Sequence, residues 1–235
     1  MNSQPSVGKE DIGLRHWLIL ATVQITTLTF GMTITSANVI LPQLKGAMAA
    51  TSDQIAWVVT FNLVATAIAT PLTGWLAQTL GWRKLLFISL GGFTIFSALC
   101  GFATSLESLV MFRVGQGAFG APLMPLGQGM ILATFPRRLH PMALMMWGVG
   151  GVLGPVLGPI LGGVVAEAMD WRWVFFMIVP LGIACIFVAA ISVDDQEKDT
   201  ARKFDFTGFV ALALAIGAAQ LMLDRGQRLD WFESP

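Results

Sequence analysis

The chain has 235 residues, 55% of them hydrophobic and only 12% charged, where an ordinary soluble domain carries about a quarter charged residues. Lysine and arginine balance aspartate and glutamate to a net charge of zero, so there is no basic footprint of the kind a nucleic-acid partner requires. With a mean hydropathy of +0.71, the composition excludes a soluble enzyme and leaves a protein of the lipid bilayer.

The charges cluster between long runs that carry none. After a tail, residues 1–16, such runs cover Trp17–Leu44, Gln54–Trp82, Leu85–Leu106, Val114–Pro136, Leu139–Ala166, Trp173–Val193 and Phe206–Leu223. About 20 apolar residues cross the hydrocarbon core as a helix, so the runs predict seven spans. They lack the alternation of a barrel strand, and helices alone satisfy their own backbone in lipid. The motif Ala47-Met48-Ala49 resembles a signal-peptidase site. The run before it is far longer than an h-region of about 7–15 residues, so the first span is expected to stay.

In helix 1, Gln24, Thr27, Gly31, Thr35 and Asn38 recur at three- and four-residue spacing, and in helix 2 Asn62, Thr66, Thr70 and Thr73 do the same. Such stripes either line a water-filled path or bond across helices. On two helices together they read as a pathway. The segment from Gly74 through Gln78, Gly81 and Arg83 to Lys84 reads as a short basic loop. Cys100 and Cys185 fall in different spans and read as small packing residues, not as a disulfide or metal pair. His16 and His140 fall at span edges and read as interfacial.

Arg113 is the one charge well inside a span, an expensive placement that points to function. With Gln116, Gly117 and Gly120 below it, it is expected to face the bundle interior. Gly115–Gly120 spells G-Q-G-A-F-G but follows no strand, so it is not a dinucleotide site. Helix 5 carries Gly150, Gly154, Gly158 and Gly162 four apart, with Pro155, Pro159 and Gly163 interleaved. Small residues at this spacing let two backbones approach closely and prolines bend a helix, so the ridge reads as a tightly packed element at a moving interface.

Positive charge sets orientation. With the N-terminus inside, Lys9, Arg15, Arg83, Lys84, Arg137, Arg138, Lys198, Arg202 and Lys203 are cytoplasmic and outweigh Lys45, Arg172, Arg225 and Arg228. Trp82-Arg83 opens helix 3 on one side and Trp171-Arg172 opens helix 6 on the other, an echo suited to an inverted three-plus-three repeat. No lysine in Phe206–Leu223 could hold retinal, and no span interior offers the Asp or Ser–His pair of an intramembrane protease.

Taken together these segments resemble the major facilitator superfamily, in its fourteen-helix drug:proton antiporter branch of the EmrB/QacA type. Gly74, Gly81 and Arg83 match the loop signature after helix 2, and Arg113, Gln116 and Gly117 match R-x-x-Q-G of helix 4. Gly150 through Gly163 match the antiporter signature G-x-x-x-G-P-x-x-G-P-x-x-G-G, and Trp171–Phe175 with Pro180 and Gly182 match the start of helix 6. Leu223-Asp224-Arg225-Gly226 with Asp230-Trp231-Phe232 resembles the end of helix 7. The chain departs from the family where Thr33 and Gln78 stand in place of aspartates and Ile178 in place of an asparagine.

The resemblance implies an all-α membrane fold. Residues 17–193 would be the N-terminal six-helix half, 194–205 a cytoplasmic loop, 206–224 a seventh helix and 225–235 a periplasmic segment. It implies a multi-pass protein of the bacterial cytoplasmic (inner) membrane that exports amphipathic or hydrophobic small molecules by proton exchange, without cofactor or metal and without making or breaking a bond. A periplasmic adaptor and an outer-membrane channel are the partners it implies. Gln24, Thr35, Asn38, Asn62, Arg113 and Gln116 are the expected pathway residues. A metabolite or uncoupled exporter and a non-transporting remnant are the alternatives, since the sequence supplies one half and one further helix.

Overall fold

The computed structural model describes residues 12–194 and 204–226. Lys9, Lys198, Arg202, Lys203, Arg228, Asp230, Trp231 and Phe232 lie outside them, as do most of the N-terminal tail, the 194–205 loop and the 225–235 segment. The described chain is helical throughout: α1 Leu14–Val39, α2 Leu41–Ala47, α3 Ser52–Ala69, α4 Leu72–Leu80, α5 Trp82–Phe102, α6 Leu106–Gly120, α7 Leu123–Thr134, a 3-10 turn Arg137–Leu139, α8 His140–Ala168, α9 Trp171–Phe176, α10 Ile178–Ser192 and α11 Phe206–Arg225.

Six of these helical stretches are long and apolar enough to cross a membrane, including Leu14–Val39, Trp82–Phe102 and Phe206–Leu223. The seventh expected span, fourth in order, is divided instead between α6 and α7. Proline explains this and the other breaks, because it lacks an N–H and its ring meets the carbonyl four residues back. The chain is interrupted at Ile40 before Pro42, at Thr70 and Pro71, at Ala121 and Pro122, and at Met177 before Pro180.

Several helix starts are written locally. Thr51 and Gln54 form a reciprocal capping box at α3, and Ser105 and Ser108 form another at α6. Asp170 caps α9 and Asp205 caps α11. Each satisfies backbone donors that a helix start leaves open.

Long-range contacts define two faces of the bundle. On the basic face, Arg15 at the start of α1 donates to the Ser192 carbonyl at the end of α10 and pairs with Asp194. Arg83 at the start of α5 donates to the Ala190 carbonyl, and His16 packs edge-on against Phe135 after α7. On the opposite face Arg172 donates to the Ala103 carbonyl at the end of α5. Between them lie two cores. One gathers Leu20, Phe30, Leu90, Phe93, Leu123, Ile131 and Ile178, and the other gathers Ile40, Leu44, Val58, Leu109, Trp171 and Phe175. The outward faces stay apolar: Val152, Val156, Ile160 and Val164 of α8 and Leu214 and Leu223 of α11 are exposed, as suits surfaces solvated by lipid.

Candidate functional site

α1 and α8 meet in a seam of close backbone approach. Gly150 sits against Gln24, Gly154 against Leu28, Gly158 against Met32 and Gly162 against Ser36. Both helices advance four residues at each step, so they run parallel with a fixed register. A Cβ on Gly154 would lie 2.7 Å from the Leu28 carbonyl oxygen, and one on Gly158 would lie 2.7 Å from that of Met32. No side chain fits there, because the obstacle is backbone. Gly31 supplies the reciprocal space for Pro155, whose ring carbon would stand 2.9 Å from a Cβ at that position. Trp147 of α8 donates from its indole nitrogen to the Thr27 hydroxyl at 2.8 Å.

This seam takes up part of the polar stripe of helix 1: Thr27, Gly31 and Thr35 pack against α8, and Thr35 bonds back to its own helix at Gly31 and Met32. The glycine ridge packs against α1. Its spacing was visible in the sequence, but spacing alone does not say which helix covers it. Pro155, against Gly31, stays exposed at the margin of the seam, Pro159 and Gly163 are half-buried, and Asn38 is exposed at the end of α1, away from the rest. Gln24 lies at the basic-face end of the seam, where it lines a groove with Trp17, Leu20, Ala21, Met146 and Val149.

The second assembly surrounds Arg113, which is wholly buried, as is Gln116. The guanidinium donates from Nε to the Val58 carbonyl at 3.1 Å and from a terminal nitrogen to Gln116 Oε1 at 2.6 Å. Gln116 donates to the Ser97 hydroxyl at 2.7 Å, and Ser97 donates to the Phe93 carbonyl at 2.7 Å. The Phe175 ring lies 5.8 Å from the guanidinium carbon, a cation–π distance. Asn62 donates to the Arg113 carbonyl at 2.8 Å, and Thr66 reaches the Gly117 carbonyl at 3.3 Å. Gly117 is required for this: a Cβ there would meet the Asn62 carbonyl and the Thr66 hydroxyl.

The cluster thus joins α3, α5, α6 and α9 through dipoles, with no carboxylate in the described hydrogen bonds and ion pairs of Arg113. Arg113 does not snorkel, and it is enclosed within the half-bundle instead of opening on a cavity. Of the six expected pathway residues, Asn62, Arg113 and Gln116 are brought together, while Gln24, Thr35 and Asn38 stand apart from them. Ser97 and the Val58 carbonyl escaped sequence reasoning. Ser97 is one of three hydroxyl residues of α5, with Ser89 and Thr94, so nothing in the sequence singled it out, and a backbone acceptor leaves no signal at all. Thr33 is buried and bonds back to the Thr29 carbonyl at 2.9 Å, so its hydroxyl serves its own helix.

The third segment is not a loop. Gly74 and Gln78 belong to α4, and Trp82, Arg83 and Lys84 to α5. Gly81 is the single joint, with φ 85° and ψ 149°, a conformation open essentially to glycine alone. Gly74 is exposed with no atom near an added Cβ, and Lys84 is exposed.

Residues 24–226 match the model of the Major Facilitator Superfamily. The chain belongs to that superfamily. Among curated relatives, it is 40% identical over 220 residues to "Multidrug export protein EmrB" of Haemophilus influenzae and 39% identical to the Escherichia coli K12 protein of the same name. Each match covers 92% of this chain and 43% of the relative. "Fatty acid resistance protein FarB" of Neisseria gonorrhoeae is 40% identical over 216 residues, 88% of this chain and 43% of the relative. The chain therefore spans less than half the length of these superfamily members. Its helices and its bacterial relatives make it a multi-pass protein of the bacterial inner membrane.

Proposed function

We propose that this chain is the N-terminal half of a proton-coupled exporter of amphipathic or hydrophobic compounds, with residues 206–224 as an added seventh helix. The observation that carries the reading is the 40% match to a protein named for multidrug export over almost all of this chain. The two assemblies give it a physical form. The α1–α8 seam makes a stiff unit of two helices locked by backbone contact, the kind of body that rocks as a whole in alternating access. The Arg113 cluster fixes a buried cation between α3, α5, α6 and α9, held by dipoles and the Phe175 ring.

In this reading the protein is a carrier and not an enzyme. Substrate passes between this half and a second half, and Asn62, Arg113 and Gln116 set the field beside the path. The Gly74–Lys84 segment acts at the gate on the basic face, which is cytoplasmic. A periplasmic adaptor and an outer-membrane channel complete the route across a double membrane. A second reading for the cargo comes from the equal identity to a protein named for fatty acid resistance, which points to amphipathic acids. The test is to express this half with a second half in an efflux-deficient strain and measure growth inhibition by lipophilic drugs and by long-chain fatty acids. Protection against the drugs supports the first reading and against the acids alone the second. Protection against neither sinks both.

A further inference from the structure

On the basic face the end of α7, the start of α8 and His16 near the start of α1 border a cavity of about 650 Å³ that none of the assemblies above uses. Phe135, buried in the extended link after α7, holds both imidazoles of this cavity in place. His140 donates from Nε2 to the Phe135 carbonyl at 2.8 Å, and the His16 ring packs edge-on against the Phe135 ring at 5.5 Å between centroids. Arg137 adds a guanidinium to the lining. It is exposed and has no ion-pair partner among the described residues, whereas Arg15 is engaged by Asp194. Among the described residues no carboxylate lines the cavity. Leu132 and Ala133, exposed in the last turn of α7, give the same space an apolar border.

We propose that this cavity seats the phosphate of an anionic phospholipid, with Arg137 as its cation and Leu132 and Ala133 beside its acyl chain. The planar fork of arginine matches phosphate oxygens in pairs, and an arginine without an ion-pair partner gives up no existing bond to do so. Basic pockets between helices receive acidic lipid headgroups in this way. The apolar border selects between two sources of the same phosphate chemistry. A free phosphate ion gains nothing from Leu132 and Ala133, whereas an acyl chain gains by covering them. The volume lies in the range of small-molecule pockets, about 300–1,000 Å³. The site stands apart from the Arg113 cluster and does not depend on export.

The experiment uses the full chain in a neutral detergent and counts lipid adducts by native mass spectrometry during titration with dioleoylphosphatidylglycerol or dioleoylphosphatidylcholine. One saturable phosphatidylglycerol adduct is expected, about fivefold tighter than that of phosphatidylcholine. Arg137→Gln removes the charge and should weaken the adduct about fivefold, while Arg137→Lys retains part of the affinity. Arg138→Gln is the control, because Arg138 is exposed on the same turn but does not line the cavity. It should leave the adduct unchanged. Millimolar inorganic phosphate should not displace the lipid. Circular dichroism checks the fold of each variant, and if Arg137→Gln misfolds, the preference of the unaltered chain for phosphatidylglycerol decides. Equal losses in Arg137→Gln and Arg138→Gln would mean that the whole basic face attracts the lipid, and would overturn the proposal. Equal affinity for the two lipids, or no saturable adduct, overturns it as well. Displacement by inorganic phosphate assigns the cavity to the free ion and overturns the lipid.

Discussion

Arg113 combines full burial with a charge, and its partners decide what a substitution does. Its fork engages two acceptors at once, the Val58 carbonyl through Nε and Gln116 through a terminal nitrogen. A lysine ammonium at the end of a flexible stem cannot reproduce that planar fork, so Arg113→Lys should retain partial export in a two-half transporter. Arg113→Ala should abolish export while membrane insertion, read by immunoblot of membranes, survives. Wild-type drug resistance in the alanine variant would leave the residue a packing role only. Gly81 offers a simpler case. Its φ of 85° with ψ 149° forces strain on any L-residue, so Gly81→Ala should lower stability by about 1–3 kcal/mol, read as an earlier thermal transition in detergent. Arg113 was legible as the lone charge inside a span, whereas its enclosure was not. Charge placement along a chain says that a side chain must find compensation, but the carbonyl of Val58 and the hydroxyl of Ser97 come from other helices.

Each helix of the seam reads differently from sequence. The four-residue spacing of Gly150, Gly154, Gly158 and Gly162 predicted a close approach, and the structure supplies the partner, α1. The polar residues of α1 were harder, since Thr27 and Thr35 look alike whether they meet water or a neighbouring backbone. The helix breaks were written in Pro42, Pro71, Pro122 and Pro180, but a count of charge-free residues passes over proline and so ran α6 and α7 together. Gly154 and Gly148 make the element-scale test, because both lie in α8 and differ only in what they face. Alanine at Gly154 would press on the Leu28 carbonyl oxygen at 2.7 Å, whereas nothing lies within 4 Å of a Cβ on Gly148. Overpacking costs about 1–3 kcal/mol, and alanine gains up to about 1 kcal/mol over glycine inside a helix. Gly154→Ala should therefore lower, and Gly148→Ala preserve or raise, the thermal midpoint of the detergent-solubilised chain. Equal behaviour of the two would mean that the seam is looser than backbone contact.

Across the whole molecule, the two faces carry unequal charge, and that asymmetry leads to orientation. Arg15, Arg83, Lys84, Arg137 and Arg138 gather on one face, while Lys45 and Arg172 stand on the other. Positive residues stay in the cytoplasm, so a reporter fused at Ser105, before α6, should label outside and one at Gln196, beyond α10, inside. The same side for both would remove the assignment. The same architecture bears on activity. Alternating access closes a site first from one side and then from the other, with one repeat moving against a second. Within this chain the glycine ridge is already covered by α1, and the residues around Arg113 are sealed within the half-bundle, so its assemblies are internally complete as a folding unit. In the proposed reading, alternating access calls for an opposing body. The match covers 43% of the length of a relative named for multidrug export. A polypeptide of these 235 residues expressed alone should therefore insert and fold yet show no energy-dependent exclusion of a fluorescent amphipathic cation from an efflux-deficient strain. Adding a second half should restore exclusion. If the chain alone excluded the dye, and a protonophore abolished that exclusion, two copies facing each other would have to supply the gates, and a homodimeric transporter would replace the half-transporter reading.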